Sequence, residues 1–421
     1  MLKQKTIALV KNKQNTNLFI YGLGQGFNLI TPLLVVPYIV SVCGIENYGK
    51  ASIGMAISFF LMVFIDYGSD IIGVRDVAIN REDQRELEKT FTTTYAAKLI
   101  LLSGVLILTS LLFYFVPFFS SEKKLFFLGL PILVGQFINP TWFLQGIENF
   151  KWITILTIVS KIIYLFGVFI CIQSEGDYVF INLWWGIGTI LANTIAFHYL
   201  FQKNSFSFRN IKKTEVVQLL KGNFSMFSSQ IFVSLQMYAP IMLIGFFGNS
   251  FMAGQYKIVE QIIVVFKTYI YLFFNFVYPR VCFLLDKNLK EGLRFWKIYN
   301  GVNFGFIFIS MAAVYLFAGE AVAYFTKTDG GQITELLKLA VLIPLALSIS
   351  IPLKQLLLGF NQQRLYINVT MMVVLVNLFL IIALLPHFKI HGVLLTLIFT
   401  EMATIVIYYL YLKNKIHSEI F

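Results

Sequence analysis

Apolar stretches of about 20 residues recur along the chain and alternate with short polar segments. A helix needs about 20 apolar residues to cross the hydrocarbon core of a bilayer. The pattern therefore predicts an all-α polytopic membrane protein rather than a soluble one. The twelve predicted spans are 17–42, 48–72, 95–116, 124–146, 152–173, 179–201, 223–247, 253–278, 298–325, 334–358, 365–386 and 391–412.

Composition supports this prediction. Hydrophobic residues make up 58% of the 421 positions and charged residues only 13%, which is too few to cover a soluble domain of this size. A net charge of +12 would also suit a nucleic-acid-binding protein. Here, however, the positive residues lie in short loops between apolar runs, so they indicate membrane topology and no nucleic-acid partner.

The positive residues also predict the orientation of the chain. An even number of spans places both termini on one side of the membrane. The segments on the side of the N-terminus contain 22 Lys and Arg, and the loops on the other side contain 4 when Lys124, the first residue of the fourth span, is counted with them. Positive residues favour the cytoplasmic side, so both termini are predicted to be cytoplasmic. The first apolar run is too long for a cleaved signal peptide and is predicted to be a retained helix.

The two halves of the chain share a pattern of two prolines followed by a glycine. These residues are Pro131, Pro140 and Gly146 in the fourth span and Pro344, Pro352 and Gly359 in the tenth. The pattern and the helix count together predict a duplicated six-helix unit. We expect lobes at 1–207 and 223–421, a cytoplasmic linker at 208–222, and a pseudo-two-fold axis along the membrane normal. Two parallel bundles with a cleft between them are typical of a transporter.

Two lysines lie deep inside predicted spans. Lys161 is near the centre of the run 153–172, and Lys267 is near mid-depth of the eighth span. A lysine at this depth costs at least about 2.5–3.5 kcal/mol, so both should face protein or water rather than lipid. Two interpretations stay open: an anion-binding role, or a structural ion pair with Glu260 or Glu401.

Other charged residues lie nearer the ends of spans. Lys50 and Lys257 are close to the outer end, and Lys257 can pair with Glu260, three residues further along the same helix. Lys98, Lys338 and Lys354 are expected to extend their ammonium groups to the interface, because each is within about five residues of a helix end.

An acidic pair marks the inner end of the second span. Asp66 and Asp70 lie one helical turn apart, and Arg75 follows closely. Paired carboxylates can perform acid–base catalysis. Their position where the helix meets the cytoplasm, next to an arginine, instead favours a cytoplasmic gate or a helix-end ion pair.

No enzymatic motif is present in the sequence. There is no G-x-S-x-G, no Walker motif and no H-E-x-x-H, and the three cysteines and four histidines lack metal-ligand spacing. We therefore predict a non-enzyme with no catalytic residue, metal or cofactor. Transport would be driven by an ion gradient, the membrane potential or the substrate gradient.

Short motifs in a fixed order give the sequence a family resemblance. Residues 17–83 contain an initial Asn, P-Y-I-V-S, G-x-E-x-Y-G, D-Y-G and R-x-V-A-x-N-R. The segments PTWFLQGIENFKWI (140–153) and NFSMFSSQIFVSLQMYAPIMLIGFFGNSFMAGQYKIVEQI (223–262) continue the pattern. Together they resemble the polysaccharide transporter, or O-antigen flippase, family over most of residues 10–280.

The resemblance implies a bacterial inner-membrane flippase of the multidrug/oligosaccharidyl-lipid/polysaccharide exporter superfamily, with two six-helix lobes around a central cavity. Such a protein moves undecaprenyl-diphosphate-linked oligosaccharide from the cytoplasmic to the periplasmic leaflet. Membrane lipids and other membrane proteins of polysaccharide assembly would be its further partners. The sugar repeat carried is not specified by the sequence.

The resemblance also suggests roles for the charged residues. Lys161 and Lys267 would contact the diphosphate in the cavity, and Lys50 and Lys257 would lie at its outer mouth. A coupling proton or sodium ion would bind at a carboxylate, which would otherwise pair with a lysine. The candidate carboxylates are Glu260 and Glu401.

Two other functions remain open. An ion-coupled small-molecule antiporter of the same superfamily would share the fold but would favour carboxylates over lysines in the cavity. A membrane-embedded polysaccharide polymerase would share the hydropathy, but it should carry a large outside loop with clustered Arg or Asp and His, which is absent from this sequence.

Overall fold

The computed structural model describes the backbone of residues 2–204, 206–326 and 330–420. Side chains are described for the same residues except 2–19, 21, 210 and 416–420. Within these ranges the chain is helical and contains no strand. It divides into two compact units, Met1–Tyr238 and Ala239–Phe421. The predicted division at the 208–222 linker stays a prediction.

Ten α-helices begin in the described residues of the first unit. They are α1 (Leu2–Asp66), α2 (Val74–Ile79), α3 (Gln84–Phe115), α4 (Pro117–Ser120), α5 (Lys123–Gly129), α6 (Pro131–Ile138), α7 (Thr141–Gly146), α8 (Phe150–Cys171), α9 (Ile181–Asn204) and α10 (Lys213–Phe247). A π-helical turn, Ser69–Gly73, joins α1 to α2, and 3-10 turns lie at Glu175–Phe180 and Phe208–Asn210.

Six α-helices follow in the second unit, within residues 239–326 and 330–420. They are α11 (Ser250–Lys287), α12 (Leu289–Leu316), α13 (Ala318–Thr326), α14 (Gly331–Ala340), α15 (Leu342–Gly359) and α16 (Gln363–Ile420). Asparagine side chains cap two of them. The oxygen of Asn249 accepts a hydrogen bond from the backbone N–H of Met252, and that of Asn288 accepts one from Glu291.

The predicted number of spans, about twelve, is confirmed. In the described part of the chain, ten helical segments are long and apolar enough to cross a membrane, and two of them, with 45 and 53 residues, are long enough for two spans each. The backbone of α1 breaks at Gly44, with φ 80° and ψ 167°. That of α16 breaks at Lys389, with φ 52° and ψ −138°. Positive φ suits glycine at the first break.

Prolines divide the fourth span. Because Pro131 and Pro140 lack a backbone N–H and clash with the preceding turn, the span 124–146 is built from three short helices, α5 to α7. The ninth and tenth predicted spans are divided as well, at Phe317 and Val341.

Residues 74–91 mix charges of both signs in a pattern typical of one amphipathic surface helix, but the structure has two helices there. Helix α2 ends at Ile79, and α3 begins at Gln84 and continues into the third span. The carboxylate of Asp83 accepts hydrogen bonds from the backbone N–H groups of Arg85 and Glu86. This N-cap starts a new helix where the charge pattern alone suggests a continuous one.

Candidate functional site

Lys161 is buried in the first unit, on α8. Its side chain is only 7% exposed, and Nζ lies 3.3 Å from the centroid of the Trp185 ring on α9. Among the residues whose side chains are described, no carboxylate forms an ion pair with it. The prediction of a deep lysine that faces protein therefore holds in the structure, but its contact is aromatic rather than acidic.

Two glycines allow the close approach of α8 and α9 that places Trp185 against Lys161. A Cβ at Gly167 would come within 2.1 Å of the Trp184 ring, and one at Gly188 within 2.5 Å of the Ser160 carbonyl oxygen. Side chains at these positions would push the two helices apart.

The aromatic surroundings of Lys161 extend beyond Trp185. Tyr164 packs edge-on against Trp185 with ring centroids 5.1 Å apart, and Phe59 lies 5.5 Å from the same ring. Phe59 in turn contacts Tyr238 at 5.8 Å. A cation on an aromatic face gains about 2 kcal/mol when desolvated, but its charge is not neutralised. This arrangement leaves Lys161 able to attract an anion.

Lys50, unlike Lys161, has carboxylates next to its ammonium group. Its Nζ lies 2.8 Å from a carboxylate oxygen of Glu122 and 3.9 Å from one of Glu46. Tyr178 donates a hydrogen bond of 2.5 Å to the same Glu122 carboxylate. Because acidic neighbours already balance its charge, Lys50 is a weaker candidate than Lys161 for contact with an anionic substrate.

The four charged site residues predicted in the second unit differ in whether they form an ion pair. Lys257 and Glu260 form the expected ion pair, with Nζ and Oε2 2.7 Å apart. Glu401 accepts a hydrogen bond of 2.9 Å from the Ser350 hydroxyl, and Lys267 acts on it electrostatically. Within the described side chains, Lys267 forms no direct ion pair with either glutamate. The coupling role of Glu260 and Glu401 stays a prediction.

Asp66 belongs to a buried polar network at the end of α1. Its carboxylate accepts hydrogen bonds from Lys98 Nζ at 3.0 Å and from Gln136 Nε2 at 2.6 Å. Lys98 is only 2% exposed and lies 5.9 Å from the Trp142 ring centroid. The expectation that Lys98 reaches the membrane interface is therefore wrong, because Asp66 provides a charge partner inside the bundle.

Asp70 faces a different helix. Tyr67 and Gly68 have φ values of 45° and 80°, and this left-handed turn ends α1. Beyond the turn, both carboxylate oxygens of Asp70 accept from Gln230 Nε2 on α10, at 2.6 and 2.7 Å. Tyr67 stacks on Phe227 of α10, with centroids 4.3 Å apart. The two aspartates thus have separate partners and do not form a carboxylate pair.

Arg75, the third residue predicted for the gate, does not join this contact. It forms an ion pair of 2.9 Å with the adjacent Asp76 and is 66% exposed.

The predicted charges contact three residues that the sequence pattern did not indicate, namely Trp185, Gln136 and Gln230. Glutamine inside an apolar span is the one signal that could have indicated two of them.

A family profile described as polysaccharide biosynthesis protein matches residues 15–282, more than half of the chain. The chain belongs to the polysaccharide biosynthesis protein family. The resemblance drawn from the sequence motifs is thereby confirmed.

Two curated relatives named "Putative O-antigen transporter" align with nearly the whole chain. The protein from Escherichia coli (strain K12) is 22% identical over 402 residues, 95% of this chain and 96% of its own length. The one from Shigella dysenteriae is 24% identical over 388 residues, with coverage of 92% and 96%.

Solved structures show the fold of this family member. The lipid II flippase MurJ in an inward closed conformation superposes with a TM-score of 0.72 at 14% identity, covering 94% of this chain and 87% of that one. An inward-facing MATE transporter of the MOP superfamily gives 0.68 at 14% identity, covering 92% and 95%. The predicted all-α fold of that superfamily is confirmed.

Proposed function

We propose that the protein is a flippase that moves undecaprenyl-diphosphate-linked oligosaccharide from the cytoplasmic to the periplasmic leaflet by alternating access. The family match and the names of the two curated relatives support a role in transport of a polysaccharide precursor. The protein acts as a transporter rather than an enzyme in this proposal, and it functions in the bacterial inner membrane with both termini in the cytoplasm.

The buried Lys161 is the observation that carries the proposal. A diphosphate brings about two negative charges, and taking them out of water into a medium of low dielectric constant is costly. Lys161 offers an ammonium group that rests on Trp185 and has no carboxylate partner among the described side chains. An ion-coupled antiporter for cationic molecules would need the opposite charge at this position.

The transport function is tested by complementation. The gene is expressed in a strain that lacks its own O-antigen flippase and carries the matching sugar-assembly genes. We expect the wild-type chain to restore surface polysaccharide and to relieve accumulation of lipid-linked oligosaccharide on the cytoplasmic face. Failure to restore polymer with the matching substrate, at normal membrane levels, would exclude the flippase function.

We also propose that the contact between the α1 terminus and α10 is part of the cytoplasmic gate. The hydrogen bonds from Gln230 to Asp70 link the end of α1 to α10, next to the stacked rings of Tyr67 and Phe227. Ser69 lies beside this contact and is 2% exposed, so it reports whether the gate is closed. Opening requires these hydrogen bonds to break.

We predict that Gln230→Ala increases access to Ser69. In a background without native cysteines, a thiol at Ser69→Cys should react slowly with a membrane-impermeant maleimide added from the cytoplasmic side. Gln230→Ala should increase the rate several-fold, and Gln230→Glu should increase it further through repulsion of Asp70. Gln84→Ala is the control, because Gln84 bonds to the Asn204 carbonyl instead. Equal rates in all variants would contradict the gate assignment.

A further inference from the structure

An apolar groove of about 540 Å³ lies on the exposed surface of the first unit. It is lined by α3 residues between Leu106 and Phe115 and by Phe127 of α5. The α3 residues belong to a segment long and apolar enough to cross a membrane. Ile107 is 64% exposed and Leu111 51% exposed, so the groove opens to the surroundings of the protein rather than to its core.

The end of the groove is built from packed aromatic rings. Phe113 is 3% exposed and contacts the rings of Phe119, Phe126 and Phe127, with centroids 5.1, 5.3 and 5.8 Å away. These contacts hold Phe127 against α3. The groove is therefore a preformed feature of the fold and does not depend on one mobile side chain.

Lys123 lies at one end of the groove. Nζ of Lys123 lies 4.4 Å from the ring centroid of Tyr114, a residue of the groove lining. Lys123 is exposed and forms no ion pair with any carboxylate whose side chain is described. The adjacent Glu122 is engaged by Lys50 instead. Tyr114 and Phe115 end the apolar segment of α3, and aromatic residues at the end of a membrane span are typical of the interface, where the lipid phosphates lie.

We propose that this groove binds one acyl chain of an anionic glycerophospholipid whose phosphate contacts Lys123. From Leu106 to Phe115 the helix rises about 13.5 Å, close to half of the roughly 30 Å hydrocarbon core, which suits a chain from one leaflet. An undecaprenyl chain is much longer than this groove. The cation at the rim selects the negatively charged headgroup. The inference is independent of the proposed transport function.

Native mass spectrometry of the purified protein tests the site. Phosphatidylglycerol and phosphatidylcholine with identical acyl chains are offered in equal amounts. We expect the wild type to prefer phosphatidylglycerol, and Lys123→Ala to reduce that preference about five-fold, the factor for one interfacial lysine. Lys123→Arg should retain it. Leu111→Trp fills the groove and should reduce retention of both lipids.

Lys124→Ala is the matched control. Its ammonium group lies 4.7 Å from the Phe180 ring, a residue outside the groove lining, so the preference should not change. The proposal is overturned if Lys124→Ala acts like Lys123→Ala, or if Lys123→Ala behaves as wild type. It is also overturned if Leu111→Trp binds lipid normally, or if undecaprenyl phosphate displaces phosphatidylglycerol in a Lys123-dependent way. A single symmetric size-exclusion peak confirms that each variant is folded.

Discussion

Lys161→Ala is expected to reduce export of surface polysaccharide about 10- to 100-fold at matched membrane levels. This factor corresponds to about 1.5–3 kcal/mol, the contribution of one hydrogen bond to a charged group. Lys161→Arg should retain most of the activity, because a guanidinium group keeps the charge and also stacks on an indole ring such as that of Trp185. Lys161→Met keeps the length of the side chain without its charge and should fail like alanine.

The controls separate substrate contact from a structural role. Lys151→Ala removes an exposed lysine from the same helix and should export normally. Melting temperatures of purified Lys161→Met and wild type should be similar, since the aliphatic chain still packs on Trp185. Normal export by Lys161→Ala would show that this lysine is a structural charge. Loss of export together with loss of stability in Lys161→Met would lead to the same conclusion.

Export of surface polysaccharide is also measured for Lys267→Ala, because Lys267 is the second predicted cation in the cavity. Lys267 and Glu401 interact electrostatically, so in the proposed transport cycle this carboxylate would compete with a diphosphate for the lysine. We therefore expect Lys267→Ala to affect export less than Lys161→Ala does.

The features that the sequence predicted depend on short-range patterns. The apolar runs identify the spans because each helix must present a continuous apolar surface to lipid. The Lys257–Glu260 pair follows from a spacing of three residues on one helix. The depth of Lys161 within 153–172 follows in the same way from its place in the run.

The features that the sequence did not predict depend on contacts between distant segments. Asp66 contacts Lys98, which lies 32 residues further along the chain, and Asp70 contacts Gln230, which lies 160 residues further along. The left-handed turn at Tyr67 and Gly68 directs the two aspartates to different partners, but it lies inside an apparently continuous span. Without that turn, a separation of four residues places both carboxylates on one face.

The buried pair of Asp66 and Lys98 leads to the second large prediction. Lys98→Met should destabilise the protein by about 3–5 kcal/mol, because it leaves a largely buried carboxylate without its cation. Among the side chains that the structure describes, Gln136 would then be the remaining hydrogen-bond donor to Asp66. Thermal unfolding in detergent, followed by intrinsic fluorescence, measures the change as a lower melting temperature.

A second substitution should restore much of this loss. In the double variant Lys98→Met with Asp66→Asn the buried charge is gone, and an amide can still bond with Gln136. Lys89→Met is the control on the same helix. Its ion pair with Glu86, at 3.4 Å, is about half exposed, so the change should stay within about 0.5 kcal/mol.

The double variant also shows what the pair contributes to the proposed gate. Asp66 directly precedes the turn at Tyr67 and Gly68, and its ion pair with Lys98 of α3 fixes the end of α1 from which Asp70 reaches α10. If the pair only supports folding, the restored double variant should label at Ser69→Cys as slowly as wild type. Faster labelling at restored stability would mean that the charges also hold the gate closed. A Lys98→Met protein that melts like wild type would contradict the buried-pair argument itself.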